Sequence, residues 1–286
     1  AGVLTLTDGA FATGSITAQG NIVVGAGWDA AGSGAVNATG TAVQTLDVSA
    51  GAGLLDNPLA INKAGGSFTL ASAYTLDAAT ADLTLTLGTF STGNFTLTTA
   101  SGSDIAVNGG TMNTGTSTMT IAGGLTVAGG TYNGNDATPT FSGAVLLSSG
   151  AYNGSTNGDT FSGGLTISGG TFTASDATTT VSGAWTHTGG GTFTHNSGTV
   201  AFTGAAATID VATTETFSTL TINKNNTATL TIASGDSLVS TGTLTLTNGA
   251  VGTGTLTPQG AVSVGAGFDG GDAVLQFGGR TFSAIC

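Results

Sequence analysis

Apolar and polar residues alternate along this chain in short runs that end at glycine. Ile105, Leu125, Val145, Leu165 and Trp185 open such runs (IAVN, LTVA, VLLS, LTIS, WTHT) at an even spacing of about 20 residues. Leu125 and Val127 fall on one side and Thr126 on the other, the two-residue period of a β-strand. A glycine-containing pair follows each run: Gly109-Gly110, Gly129-Gly130, Ser149-Gly150, Gly169-Gly170 and Gly189-Gly190. Two positions later in most copies stands a large residue, Met112, Tyr132, Tyr152 or Phe172. After a polar segment come Ile121, Phe141, Phe161 and Val181, each before a small-residue corner (Ala122-Gly123, Ser142-Gly143, Ser162-Gly163, Ser182-Gly183). Glycine accepts the positive φ angles that sharp corners need.

The pattern predicts an all-β fold: a single-stranded, right-handed parallel β-solenoid (β-helix) of about 20 residues per coil, without helices. Each coil has two or three strands, and layers stack about 4.8 Å apart. That gives roughly 14 coils in one continuous domain over residues 1–286. A lone coil buries too few apolar side chains to offset the entropy of ordering its backbone, so stability belongs to the stack.

A longer repeat overlies the short one. Residues 4–29 (LTLTDGAFATGSITAQGNIVVGAGWD) return at 244–269 (LTLTNGAVGTGTLTPQGAVSVGAGFD). Residues 1–29 thus resemble 241–269, a super-repeat of about 240 residues that restarts near residue 241. Leu4 matches Leu244, Gly9 matches Gly249, Gln19 matches Gln259 and Trp28 matches Phe268.

Composition excludes several classes. Glu215 is the only glutamate, and Lys63, Lys224 and Arg280 are the only strong bases. Thr and Gly dominate, and both are poor in helix interiors. With a net charge of −12, the chain cannot neutralise a phosphate backbone or dock on an anionic membrane. No apolar run is long enough to span a bilayer. Without an initiator Met or a signal peptide ahead of Ala1, the chain reads as mature protein or as a piece of something longer. Cys286, the final residue, is read as an incidental thiol, with an intermolecular disulfide as the sharper alternative.

Residues 59–63 (LAINK) match 220–224 (LTINK), and each phrase is followed by T-L-x-x and L-T-L-T-x-G segments. This order resembles bacterial extracellular β-strand-repeat surface proteins, akin to filamentous-haemagglutinin-like adhesins and autotransporter passengers. The segment 190–204 (GGTFTHNSGTVAFTG) resembles the same class. The resemblance covers nearly the whole chain. It implies a secreted or cell-surface structural role and carries over no catalytic residue.

The search for chemistry assigns no catalytic, cofactor-binding or metal-binding residue, so the chain is expected not to be an enzyme. Solenoid lyases need a base beside Ca²⁺-binding carboxylates, but Arg280 lies in a divergent tail. Lys63 and Lys224 hold matching positions, as a structural corner would. Asp136 and Asp176 sit two coils apart at one corner, a separation open to a glycosidase pair, yet solvated corner aspartates are the simpler reading. Asp159 belongs to the same neighbourhood. Residues 129–136 (GGTYNGND) have the wrong spacing for the calcium-binding solenoid nonapeptide. Asp8 and Asp29 are turn residues. His187 and His195 flank a glycine corner and are read as exposed strand residues, since two ligands make a weak metal site. The sequons at Asn37, Asn94, Asn153 and Asn225 are expected by chance in so threonine-rich a chain.

T-x-T units suggest a face of hydroxyls, but the position after each opening residue reads Ala106, Thr126, Leu146, Thr166, Thr186, which is not uniform. The expectation is a structural extracellular fibre or cell-surface protein. Its uncapped coils associate head to tail into a filament or form part of a longer array. An adhesin binding surface glycans or ice through Thr-rich faces is the alternative.

Overall fold

The computed structural model describes residues 2–29, 32–51 and 54–278, and the backbone of 280–283. Cys286 and the side chain of Arg280 lie outside the described residues. The described residues form strands and turns with no helix, wound into a parallel β-solenoid of about 13 turns. The count falls below 14 because several turns are long. Val48 N–H reaches Ser72 Oγ across 24 residues, and Val211 N–H reaches Asp236 across 25.

Three ladders run up the rod. The first joins Val36, Leu59, Leu83, Ile105, Leu125, Val145, Leu165, Trp185 and Ile209. The second joins Leu46 to Leu70 and continues through Phe68, Phe90, Met112, Tyr132, Tyr152, Phe172 and Phe193. The third joins Leu97, Met119, Pro139 and then Ile121, Phe141, Phe161, Val181, Phe202, Ile222, Leu246 and Val264. Alternate residues of each strand point inward, so the predicted apolar positions form the core.

Like side chains stack inside. The Tyr152 ring stacks on Tyr132 and on Phe172, each at 4.7 Å, with ring planes nearly parallel. Phe141 and Phe161 stack at 5.2 Å on the third ladder. At a corner, Asn133 Nδ2 donates to Asn113 Oδ1 and Asn153 Nδ2 donates to Asn133 Oδ1, each at 2.8 Å. Such in-register pairs hold neighbouring layers together.

The corner glycines serve two purposes. Gly110, Gly150 and Gly170 have positive φ (65°, 80° and 71°), as expected. Gly143 is required for a different reason: a Cβ there would overlap the carbonyl oxygen of Gly123 in the layer below. Backbones approach too closely at this corner for any side chain.

The long repeat is structural, with a twist the sequence does not display. Leu4, Thr5 and Leu6 pair with Ile22, Val23 and Val24, then the register slips and Gly9 meets Trp28. Leu244, Thr245 and Leu246 pair with Val262, Ser263 and Val264, and after the same slip Gly249 meets Phe268. Asp8 Oδ1 accepts the Gly9 N–H at 2.8 Å, and Asn248 Oδ1 accepts the Gly249 N–H at 2.9 Å. Yet Leu4 connects through Ile22 and Leu46 to the second ladder, whereas Leu244 lies on the third. The motif returns one face further round the rod.

At the far end the chain departs from its template. The strand Arg280–Ser283 folds back antiparallel on Val274–Phe277. Beside it the strand Val262–Gly270 is open: Val264 is 54% exposed, while its counterpart Val24 is fully buried.

Candidate functional site

The most regular outward feature is on the third face. Thr75, Thr98, Thr120, Thr140, Thr160 and Thr180 stack in register, and after Ala201 the column resumes with Thr221 and Thr245. A parallel column pairs Thr118 with Thr138, and Thr178 with Thr199 and Thr219. Inward residues such as Met119, Pro139 and Thr179 fix the strands from below, so the hydroxyls stand on a rigid support. Neighbours are spaced about 4.8 Å between layers and about 6.7 Å along a strand. On the first face Leu146 interrupts the threonines, as the register Thr126, Leu146, Thr166 shows. The signal for the third face was T-x-T at 118–120, 138–140 and 178–180.

Several other polar groups are buried, and most of the altered proton affinities belong to them. Asp159 is 1% exposed, shares the inward side of its strand with Phe161, and faces the Tyr152 hydroxyl. Burial raises its pKa to about 6, against the opposing effect of the Ser155 N–H, which donates to Oδ1 at 3.2 Å. Asp56 is also buried, with φ of 52°, and its pKa is raised to about 7 by burial and then by the neighbouring Asp77 carboxyl. Asp136 and Asp176 are exposed, and Asp136 Oδ1 accepts a hydrogen bond from Thr156 Oγ1 at 2.7 Å. The aspartates of this region therefore divide into one buried and two solvated groups, not a facing acid pair.

The histidines depart from expectation. Both are part-buried, and they have separate partners. His187 Nδ1 pairs with Glu215 Oε2, and His195 Nδ1 accepts the Ser197 N–H at 3.1 Å. The two lysines are fully buried, as structural corners: Lys63 Nζ donates to Gln44 Oε1 and Lys224 Nζ to the Thr203 carbonyl. Burial lowers both lysine pKa values. Asn153, one of the sequon asparagines, spends its amide in the asparagine ladder.

Among the described residues, no three His, Cys, Asp or Glu side chains gather where they could hold a metal ion. No helix among them is long and apolar enough to cross a membrane. No protein-family profile, curated protein or solved structure matches this chain.

Proposed function

We propose that the chain is a structural module of an extracellular or cell-surface fibre, a non-enzymatic rod lengthened by adding coils at its ends. One observation carries this reading: the strand pairs of residues 4–28 and 244–268 share register, slip and corner hydrogen bond. A fold that rebuilds the same layer after about 240 residues is suited to indefinite extension. The resemblance to extracellular repeat proteins of the adhesin and autotransporter-passenger type supports the location. Gold-labelled antibody against the chain, applied to intact producing cells, is expected to mark extended structures outside the envelope. Label confined to the cell interior would refute the proposal.

The threonine columns of the third face favour a second reading, in which the module is an adhesin that binds an extended hydroxyl-rich ligand, a glycan or ice. A rigid, periodic hydroxyl array loses little entropy on binding a periodic partner. Glycan-array binding or thermal hysteresis would separate this from an inert fibre. Thr140→Lys with Thr160→Lys should abolish either activity, and wild-type protein inactive in both assays sinks the reading.

A further inference from the structure

Lys63 is a buried cation without a counter-charge. It lies on the strand Leu59–Leu70, is fully buried, and among the described residues no carboxylate forms an ion pair with it. Its Nζ ends instead on a side-chain amide, 2.5 Å from Gln44 Oε1. That is closer than the ordinary hydrogen-bond spacing of about 2.9 Å. Gln44 opens the strand Gln44–Asp47 and is also fully buried. Its amide is held in one orientation, because Nε2 donates to the carbonyl of Ala18 at 3.1 Å and to that of Gly20 at 2.6 Å. The amide oxygen therefore faces the lysine, and the amide nitrogen is tied to the neighbouring layer.

Lys224 shows what the corner alone requires. Register pairs Gly204 with Lys224 just as it pairs Gly40 with Lys63. Each ammonium meets the carbonyl that precedes its paired glycine: Lys224 Nζ donates to Thr203 O, and Lys63 Nζ stands 3.5 Å from Thr39 O. Capping that carbonyl accounts for a buried lysine in both places. The contact with a side-chain amide belongs to Lys63 and has no counterpart at Lys224 among the described residues. The Gln44 contact is therefore additional to the structural task of the corner.

We propose that Lys63 and Gln44 are a self-cross-linking pair, joined in the folded rod by an isopeptide bond between Nζ and Cδ with loss of ammonia. The step balances within the pair. One proton passes from the Lys63 ammonium to Gln44 Oε1, which frees the nitrogen lone pair and polarises the carbonyl. Nζ then bonds Cδ and the Cδ–Nε2 bond breaks. The leaving nitrogen takes up the two protons that lysine gives up and departs as ammonium. Both sides of the reaction carry one positive charge, and no oxidant or other reagent enters. Burial lowers the Lys63 pKa, so its lone pair is freed at lower cost. The fixed contact replaces a bimolecular encounter. The product exchanges a buried, unpaired cation for a neutral amide, and the charge leaves to water. Gln19, beside Gly20, lines a surface cleft with Gly40, Thr41 and Ala42, which gives the ammonium a way out.

Intact-mass measurement on the folded full chain tests this. The wild-type mass should fall about 17 Da below the value its sequence encodes, the mass of one ammonia. A digest should yield a branched peptide that contains both residue 44 and residue 63. Lys63→Met should show its full encoded mass, and Lys224→Met should keep the deficit. Folded wild-type chain that retains its encoded mass after prolonged warm incubation overturns the proposal. So does a deficit that survives Lys63→Met, which would place the lost ammonia elsewhere, as in ring closure at an Asn-Gly pair such as Asn157-Gly158. Should Lys63→Met fail to fold, the wild-type digest decides alone: the branched peptide supports the cross-link, and separate, unmodified peptides for residues 44 and 63 overturn it.

Discussion

His187 Nδ1 lies 2.6 Å from Glu215 Oε2, so the only glutamate of the chain faces inward and meets one of its two histidines. Glu215 is 6% exposed and sits two residues before Phe217 on an inward-facing set. Burial raises its pKa, while the His187 contact acts to lower it. Removing the imidazole leaves a buried carboxyl without its main partner. His187→Ala should therefore destabilise the surrounding coils by about 3 kcal/mol, read as faster hydrogen exchange in residues 214–217. A change no larger than that of an exposed substitution such as Thr188→Ala would show that the pair contributes nothing.

Asp159 and Asp56 make stability depend on pH with a definite sign. Their folded pKa values, about 6 and about 7, lie above the usual carboxylate value of 3.8. The folded state thus holds protons more tightly. Their stabilising contribution is complete below about pH 4 and is lost as pH rises through 6 and 7. For Asp159 the loss is on the order of 3 kcal/mol. Native hydrogen exchange at residues 159–161, compared at pH 4 and pH 7.5 after correction for the intrinsic rate, should show it. Asp159→Asn should flatten the local dependence; an unchanged profile in that variant would assign the effect elsewhere.

Tyr152 separates packing from hydrogen bonding. Its ring is sandwiched between Tyr132 and Phe172, and its buried hydroxyl faces the Asp159 carboxyl and the Tyr132 hydroxyl without a close hydrogen bond to either. Tyr152→Ala should cost about 3–5 kcal/mol, since the cavity lies in the middle of the stack. Tyr152→Phe should cost far less, at most about 1.5 kcal/mol, because it keeps the stacked ring and removes only a hydroxyl that faces Asp159 and Tyr132 without a close hydrogen bond. Urea denaturation of the two variants side by side gives the contrast, and a large loss in the phenylalanine variant would mean that the hydroxyl is bonded after all.

Gly143 should tolerate no side chain. Its layer-to-layer approach to Gly123 leaves no room for a Cβ, and the obstacle is backbone. Gly143→Ala is expected to cost about 2–3 kcal/mol. Gly190→Ala, where a Cβ meets nothing within 4 Å, should cost little by comparison. Similar melting temperatures for the two variants would contradict this assignment of the corner.

The coil period, the inward ladder from Met112 to Phe172 and the long repeat were all legible in the sequence, because each is a local alternation or a fixed offset. The buried acids were not. Alternation places Asp159 inward, two residues before Phe161, but the chemistry of a carboxylate argues for a solvated corner, and in the fold position wins over chemistry. The His187–Glu215 pair spans 28 residues, longer than one regular coil, so no fixed period reveals it. The threonine face was hidden because the strand that opens each coil carries Leu146 in its outward column, while the uniform column Thr120 to Thr180 belongs to the strand that closes the coil. The antiparallel return at 280–283 departs from the template, and nothing in residues 1–29 announces it.

The one-face offset between Leu4 and Leu244 has a geometric corollary. Were such units strung together in continuous register, each would begin a third of the circumference further round than the one before. Surface markings would then trace a screw thread along the shaft and come back into line only after three units. Any ligand gripping one stripe would have to wind with it, or hold on at intervals.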